Sequence, residues 1–128
     1  MTPIAKYRGS KEYLLVYSHI ITAAQFQGIT TYQDLATIMG LPLEGNHMGK
    51  EIGLILEEIS EDERSHGRPM LTALVINTTG KPGPGFFGLA QRWGLLSDET
   101  EEGKKRFWEK EKKAVYATWK KDYTVDRK

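Results

Sequence analysis

Two ionisable side chains are spaced so that they could act together on a metal ion. His47 and Glu51 lie four residues apart in a segment with helical periodicity. Residues at i and i+4 share one face of a helix, where an imidazole nitrogen and a carboxylate oxygen can both bind Zn²⁺. A zinc site needs at least one further protein ligand, and none is indicated, because His19 lies in another helix and His66 in a loop. A metal-dependent hydrolase is therefore a weaker interpretation than either of the two binding functions that other residues indicate.

Cysteine chemistry is excluded, because the chain contains no cysteine. No disulfide, thiolate metal site or cysteine nucleophile can form. We expect no catalytic residue and no cofactor. The first ten residues lack the apolar core of a signal peptide, and no apolar run is long enough to span a membrane. These features together predict a cytoplasmic protein.

The charges are unevenly distributed along the chain, although the formal net charge is only +1. Residues 104–128 contain ten Lys or Arg and four Asp or Glu, whereas residues 1–103 contain eight and thirteen. An anionic partner would be drawn to the basic C-terminal segment. The length of 128 residues and the 39% hydrophobic content are those of one ordinary globular domain spanning 1–128.

Apolar residues recur with helical spacing in three segments of the N-terminal half. They predict helices over residues 10–27, 30–40 and 46–60, with Thr30 or Thr31 capping the second and Asn46 capping the third. The third helix runs into a charge run that we expect to be a solvated helix end and loop. The run comprises Glu57, Glu58, Glu61, Asp62 and Glu63.

The C-terminal half contains a strand, a loop and a long helix. MLTALVIN (70–77) predicts a strand, TTGKPGPG (78–85) a loop, and residues 86–94 fit either a short helix or a second strand. Residues 97–122 predict a helix that docks through Trp108, Val115 and Trp119. Its opposite face is basic and comprises Arg106, Lys110, Lys113, Lys120 and Lys121. The pattern predicts a small α+β winged helix-turn-helix domain with an additional C-terminal helix.

Several segments resemble, in order and spacing, the C-terminal domain of the alkylguanine-DNA alkyltransferases and their alkyltransferase-like relatives. QGITTYQDLA (27–36) is similar to that family's Gly-x-Val-x-Ser-Tyr-x-x-Leu-Ala segment. KEIGLIL (50–56) is similar to the family's Arg-Ala-Val-Gly-x-x-Leu on the recognition helix, and residues 80–88 are similar to its glycine-rich wing. The resemblance covers about residues 28–96 and leaves the C-terminal helix outside it.

The resemblance implies a protein that binds the minor groove of duplex DNA. It gives Tyr32 the role of pressing on a phosphate, and it places Lys50 where the family has the arginine that fills the gap left by a flipped base. The family's Pro-Cys-His-Arg is replaced by Pro-Met-Leu-Thr at residues 69–72, so alkyl transfer is excluded. We therefore predict a non-catalytic protein of DNA repair that senses a modified or flipped base. Its predicted DNA contacts are Thr31, Tyr32, Asn46, His47, Lys50, Arg68 and Lys81.

An alternative is a protein-interaction module in which the basic face of the last helix binds an acidic partner. The predicted recognition helix favours this alternative, because it carries one lysine against three glutamates and DNA-binding elements are usually more basic. Gly45, Gly49 and Gly53 leave a bare stripe on that helix, which permits close approach of either another helix or a DNA backbone. A continuous positive face joining the third helix, the loop at 78–85 and the last helix favours DNA, whereas a last helix on the far side from that loop favours a protein partner.

Overall fold

A computed structural model of the chain describes residues 6–43 and 46–120. Within those ranges the protein is mostly helical and contains one small parallel sheet. The helices are α1 (Lys11–Gln25), α2 (Tyr32–Met39), α3 (Asn46–Ser65), α4 (Pro84–Arg92) and α5 (Glu101–Trp119). The strands are β1 (Thr30–Thr31) and β2 (Val75–Ile76), and a 3-10 helix spans Leu71–Leu74. None of the described helices is both long and apolar enough to cross a membrane.

Side-chain caps start three of the helices. The backbone N–H groups of the first turns donate to the hydroxyls of Ser10 in α1, Thr31 in α2 and Thr100 in α5, at 3.0 to 3.1 Å. Gly40 ends α2 in the left-handed conformation, with φ of 74°. The predicted boundaries of α2 are therefore confirmed, with Thr31 rather than Thr30 as the cap. The predicted cap Asn46 is the first residue of α3, and its side chain lies outside the described part of the structure.

The prediction that the charge run of α3 is solvated is wrong for two of its glutamates. Glu63 is fully buried, and its carboxylate accepts hydrogen bonds from the Tyr17 hydroxyl and from the Arg68 guanidinium at 2.7 Å. Glu58 is 9% exposed and accepts the backbone N–H groups of Lys6 and Arg8 at 2.6 and 2.7 Å. Each buried carboxylate has partners, and these contacts offset the free-energy cost of burying its charge. The helix accordingly continues to residue 65, beyond its predicted end at residue 60.

The prediction of one strand over residues 70–77 is wrong for the first half of that segment. Leu71–Leu74 form the 3-10 helix, and only Val75–Ile76 pair as β2 with Thr30–Thr31 in parallel. The 3-10 helix contacts α1, α3 and α5 and is therefore enclosed on all sides. Because every one of its side chains is buried, its apolar run has no periodicity that would distinguish a helix from a strand. Residues 84–92 form α4, which settles the choice left open for residues 86–94 in favour of a helix.

Two apolar clusters build the interior. The larger is formed by α1, α2, α3, the 3-10 helix and Val115 of α5, and the smaller is centred on α4 and Met70. The predicted docking face of α5 is confirmed: Val115 is fully buried, Trp119 packs against the larger cluster, and the Trp108 indole N–H donates to the Ala73 carbonyl at 2.8 Å. The helix begins at Glu101, later than predicted, and the predicted positions 121 and 122 lie outside the described residues.

Candidate nucleic-acid interface

Tyr32, the first residue of α2, lies against the Gly/Pro-rich loop that joins β2 to α4. The parallel sheet brings the two segments together, because Thr31 pairs with Ile76. A Cβ atom built on Gly83 would overlap the Tyr32 hydroxyl, so the loop can approach this closely only at a glycine. Burial raises the pKa of Tyr32 further above neutral pH, at which a phenol is already protonated. The hydroxyl can therefore donate a hydrogen bond to an anion.

Helix α3 presents an exposed stripe that carries His47, Gly49, Lys50 and Gly53. No atom lies within 4 Å of a Cβ built on either glycine, apart from the helix's own neighbouring backbone. No other helix of the described residues therefore packs on these two glycines. Gly45, the third glycine of the predicted stripe, lies outside the described residues. The stripe at Gly49 and Gly53 is open to an external partner.

Three of the five glutamates of α3 are buried on the inner side of the helix, away from this stripe. Glu51 is 3% exposed, and its carboxylate binds the Lys6 ammonium at 2.8 Å and the Tyr7 hydroxyl. Hydrogen bonds from Lys6 and Tyr7 lower the pKa of Glu51, while burial and the same carboxylate raise the pKa of Tyr7 to about 12. Glu58 is also buried, so the exposed glutamates of α3 are Glu57, with Arg92 at 3.5 Å, and Glu61, with Arg8 at 3.4 Å. The exposed side of α3 is thus less acidic than its sequence indicates.

The His47 and Glu51 pair does not extend to a metal site in the described residues. The Glu51 carboxylate is engaged by Lys6 and Tyr7, and His47 is exposed on the outer side of α3. Among the residues described, no group of three His, Asp or Glu side chains is placed to hold a metal ion. A metal needs such a group, so the geometry adds nothing to the hydrolase interpretation.

The two remaining predicted cations occupy different environments. Lys81 is exposed on the Gly/Pro-rich loop, with its ammonium 3.8 Å from the Glu101 carboxylate of α5. Arg68 is committed to the interior: it binds the buried Glu63 and its guanidinium lies 5.1 Å from the centre of the Trp119 ring. Both cations thus have a carboxylate partner, but the partner of Lys81 is exposed to solvent, whereas the partner of Arg68 is fully buried.

A small cavity lies between Tyr32, α3 and the start of α4. Its volume is about 50 Å³, and at its wall the hydroxyls of Ser60 and Thr72 hydrogen-bond to each other at 2.8 Å. One water occupies roughly 30 Å³ of liquid, so the cavity holds one or two waters and is too small for a nucleobase. Met70, where the resembled family has its cysteine, is 3% exposed and packs in the smaller apolar cluster. Met70 carries no ionisable thiol, so it does not reproduce the chemistry of that cysteine.

Helix α5 lies beside the Gly/Pro-rich loop, an arrangement that the periodicity of the sequence did not reveal. Lys81 of the loop and Lys104, Lys105 and Trp108 of α5 line one groove. The prediction treated Trp108 only as a docking residue and did not single out Lys104 or Lys105. A signal was available in the stretch KKRFW (104–108), because cations next to aromatic residues are typical of nucleic-acid-binding surfaces.

The sequence matches no family model, no curated protein and no solved structure. Within the described residues, the fold is that of a mostly helical protein in which a two-stranded parallel sheet pairs Thr30–Thr31 with Val75–Ile76. The resemblance to the alkyltransferase family stays a prediction, and a function must be argued from the surface itself.

Proposed function

We propose that this chain is a non-catalytic protein that binds duplex DNA with a winged-helix-like surface formed by α2, α3 and the Gly/Pro-rich loop. The observation that carries the proposal is the open stripe of α3. Glycine in a helix interior costs about 1 kcal/mol relative to alanine, and no described residue fills the space above Gly49 or Gly53. Such bare helix surface allows a bulky backbone to approach closely, as the sugar-phosphate chain of DNA would.

The surrounding side chains suit that partner. Lys50 and His47 project from the first turns of α3, and Lys81 lies on the adjacent loop. Tyr32 offers a protonated hydroxyl, and Thr31 fixes the start of α2 by accepting the Asp34 backbone N–H at 3.1 Å. These groups are donors and cations, which are the contacts that position a protein on DNA phosphates. Asn46, at the start of α3, completes the proposed contacts.

Arg68 has no place in this proposal, although it was among the predicted contacts. To reach a phosphate, its guanidinium would have to leave Glu63, which is fully buried. A buried carboxylate without its partner is strongly destabilising. The phosphate contact beside the loop is therefore assigned to Lys81 alone.

The proposal includes the sensing of a modified base only in the sense that the protein binds a duplex distorted by that base. The cavity of about 50 Å³ cannot take a flipped base unless Tyr32 or Phe86 moves, because both side chains line it. Residues 69–72 contain no cysteine, so the bound duplex would be recognised without repair by thiolate alkyl transfer.

The alternative function is binding of an acidic protein through the outer face of α5. The observation that favours it is the row of exposed cations Arg106, Lys110 and Lys113, which continues to Lys120. Arg106 is already paired with Asp98 at 2.9 Å, and Lys121 lies outside the described residues. Because α5 lies beside the loop, Lys104 and Lys105 form a second cationic surface next to Lys81, and we favour DNA over the protein partner.

Fluorescence anisotropy of a labelled duplex, with and without one alkylated guanine, tests the proposal. We expect affinity to fall as salt rises, and we expect Lys50→Ala to weaken binding and to reduce the salt slope by about 1. Lys110→Ala is the matched control, because it removes the same charge from the outer face of α5. Tighter binding of the modified duplex supports recognition of distortion. Absence of binding at low salt refutes the proposed function and directs attention to the acidic-partner alternative.

A further inference from the structure

A second groove lies on the opposite side of the Gly/Pro-rich loop, between that loop and α5. Its volume is about 570 Å³, which falls within the range of roughly 300–1,000 Å³ that is usual for ligand sites. Six of the residues that line it define its chemistry and are Lys81, Pro82, Phe87, Lys104, Lys105 and Trp108.

The floor of the groove is aromatic and held in place. The Trp108 ring is fixed by its hydrogen bond to the Ala73 carbonyl at 2.8 Å, and the Phe87 ring is held edge-to-face against Phe86, with the ring centres 5.1 Å apart. Both rings are only partly buried and line the groove, with the Lys112 ammonium 4.1 Å from the Trp108 ring centre and the Lys104 ammonium 5.7 Å from the Phe87 ring centre. Fixed, partly exposed rings favour a ligand that contains a flat ring, because stacking then costs little conformational entropy.

The rim of the groove is positively charged. Three lysines line it against one carboxylate, that of Glu101. The Lys81 and Lys104 ammonium groups lie 3.8 and 3.7 Å from that carboxylate, so a single acidic group serves both. Lys105 is exposed on the same rim. The excess of cations over a flat apolar floor matches a ligand with stacked rings and a negatively charged backbone, which is the chemistry of single-stranded nucleic acid.

The loop itself separates this groove from the proposed duplex surface. Gly83 and Gly85 line the small cavity beside Tyr32 and α3, whereas the intervening and flanking prolines, Pro82 and Pro84, line the groove beside α5. Proline fixes φ, so the backbone between the two surfaces is stiff. The loop borders both surfaces. A DNA strand that separates from the duplex next to α3 would reach the loop and then enter the groove.

We infer that the preferred ligand is a junction between duplex and single-stranded DNA, with the unpaired strand lying in the groove between the loop and α5. The duplex arm of this inference rests on the proposed function, whereas the single-strand arm rests on the groove alone. Stacking of one base is worth about 1–3 kcal/mol, so we expect a duplex with an overhang to bind at least about fivefold more tightly than a blunt duplex.

Anisotropy measurements with a blunt duplex, a single strand, and duplexes carrying a 3′ or a 5′ overhang test the inference. The groove variant is Lys104→Gln with Lys105→Gln, and its matched control is Lys110→Gln with Lys113→Gln, which removes the same charge from the outer face of α5. We expect the groove variant to lose the preference for an overhang and the control variant to retain it. Equal losses in both variants would overturn the inference, because they would indicate attraction by net charge alone.

The outcomes also separate this inference from the proposed function. Equal binding of blunt and overhanging duplexes overturns the junction and leaves duplex binding supported. Binding of the single strand without binding of the blunt duplex contradicts the proposed function and supports the groove. A fluorescent adenine analogue at the first unpaired position gives a second readout: stacking should quench it, and Phe87→Leu, which removes the ring but keeps an apolar side chain, should restore its emission. Unchanged quenching in that variant, with its fold intact by circular dichroism, counts against Phe87 as a stacking platform and overturns this part of the inference.

Discussion

Replacing Gly49 and Gly53 by alanine should stabilise the protein and at the same time weaken its binding to DNA. Gly53 is in the interior of α3 and Gly49 is its fourth residue, and among the described residues a Cβ atom at either would meet no atom within 4 Å beyond the helix's own nearby backbone. Alanine is favoured over glycine by roughly 0.8–1.0 kcal/mol in a helix interior, so the double substitution should raise the free energy of unfolding by about 2 kcal/mol. For a domain of this length, that gain corresponds to an increase in Tm of about 7 °C.

The binding arm of the prediction uses the same variants. If DNA backbone approaches the bare stripe, two added methyl groups should hold it away, and the affinity for duplex should fall. Gly53→Gln, which adds a longer side chain, should lower the affinity further than Gly53→Ala. Gly88→Ala is the matched control, because Gly88 lies in the interior of α4 with equally open space around it but does not line the cavity beside Tyr32. It should raise the stability by a similar amount and leave DNA binding unchanged.

Two results would refute this reasoning. Urea unfolding that shows a loss of stability in Gly49→Ala or Gly53→Ala would mean that another part of the chain packs on the stripe. Stabilisation with unchanged DNA affinity in all three α3 variants would mean that the stripe is open for a reason other than DNA. If the small residues are retained because a partner approaches them closely, substitutions that stabilise the fold should weaken binding of that partner.

Two further predictions concern contacts within the fold. Gly83→Ala should destabilise the protein by about 1–3 kcal/mol, because its Cβ would overlap the Tyr32 hydroxyl. Tyr32→Phe in the same chain should recover most of that loss. An additive result in a double-mutant cycle would contradict the contact. Hydrogen bonds from Lys6 and Tyr7 lower the pKa of Glu51, so its stabilising effect should be fully present above the ordinary carboxyl pKa and should disappear as the pH falls through the lower folded value. Urea unfolding of the parent and Glu51→Gln between pH 7 and pH 3 checks this, and a stability difference that grows on acidification would contradict it.

The helices of the N-terminal half could be predicted because their signals are local. In α2, the cap Thr31, the buried face at Leu35 and the stop at Gly40 all lie within ten residues of one another, and all three are confirmed. The docking face of α5 was predictable for the same reason, since Trp108 and Val115 are separated by two helical turns. The 3-10 helix at Leu71–Leu74 was not predictable, because a segment buried on every side shows no periodicity.

The candidate site was harder to predict because its parts are distant in sequence. Tyr32 and Gly83 meet only because two very short strands pair in parallel, and strands of two residues leave almost no sequence signal. The groove beside α5 depends on where that helix docks relative to the loop, which the periodicity of α5 does not specify. Sequence reasoning could therefore identify Tyr32 and Lys81 as candidates without showing which surfaces they border.

The acidic residues of α3 show why counting charges on a helix can mislead. By sequence, α3 is a poor DNA-binding helix, but Glu51 and Glu58 accept hydrogen bonds from residues 6–8, and Glu63 accepts them from Tyr17 and Arg68. Lys6 and Arg68 pair with Glu51 and Glu63, and backbone N–H groups stabilise the Glu58 carboxylate on the inner side of the helix. Because phosphates interact with the charges that face them, the relevant surface is the outer stripe, which carries Lys50, two glycines and, one turn further on, Glu57 beside Arg92. The fold thus uses the acidic residues of α3 to anchor its own N-terminal segment, and this use leaves the outer stripe compatible with an anionic partner.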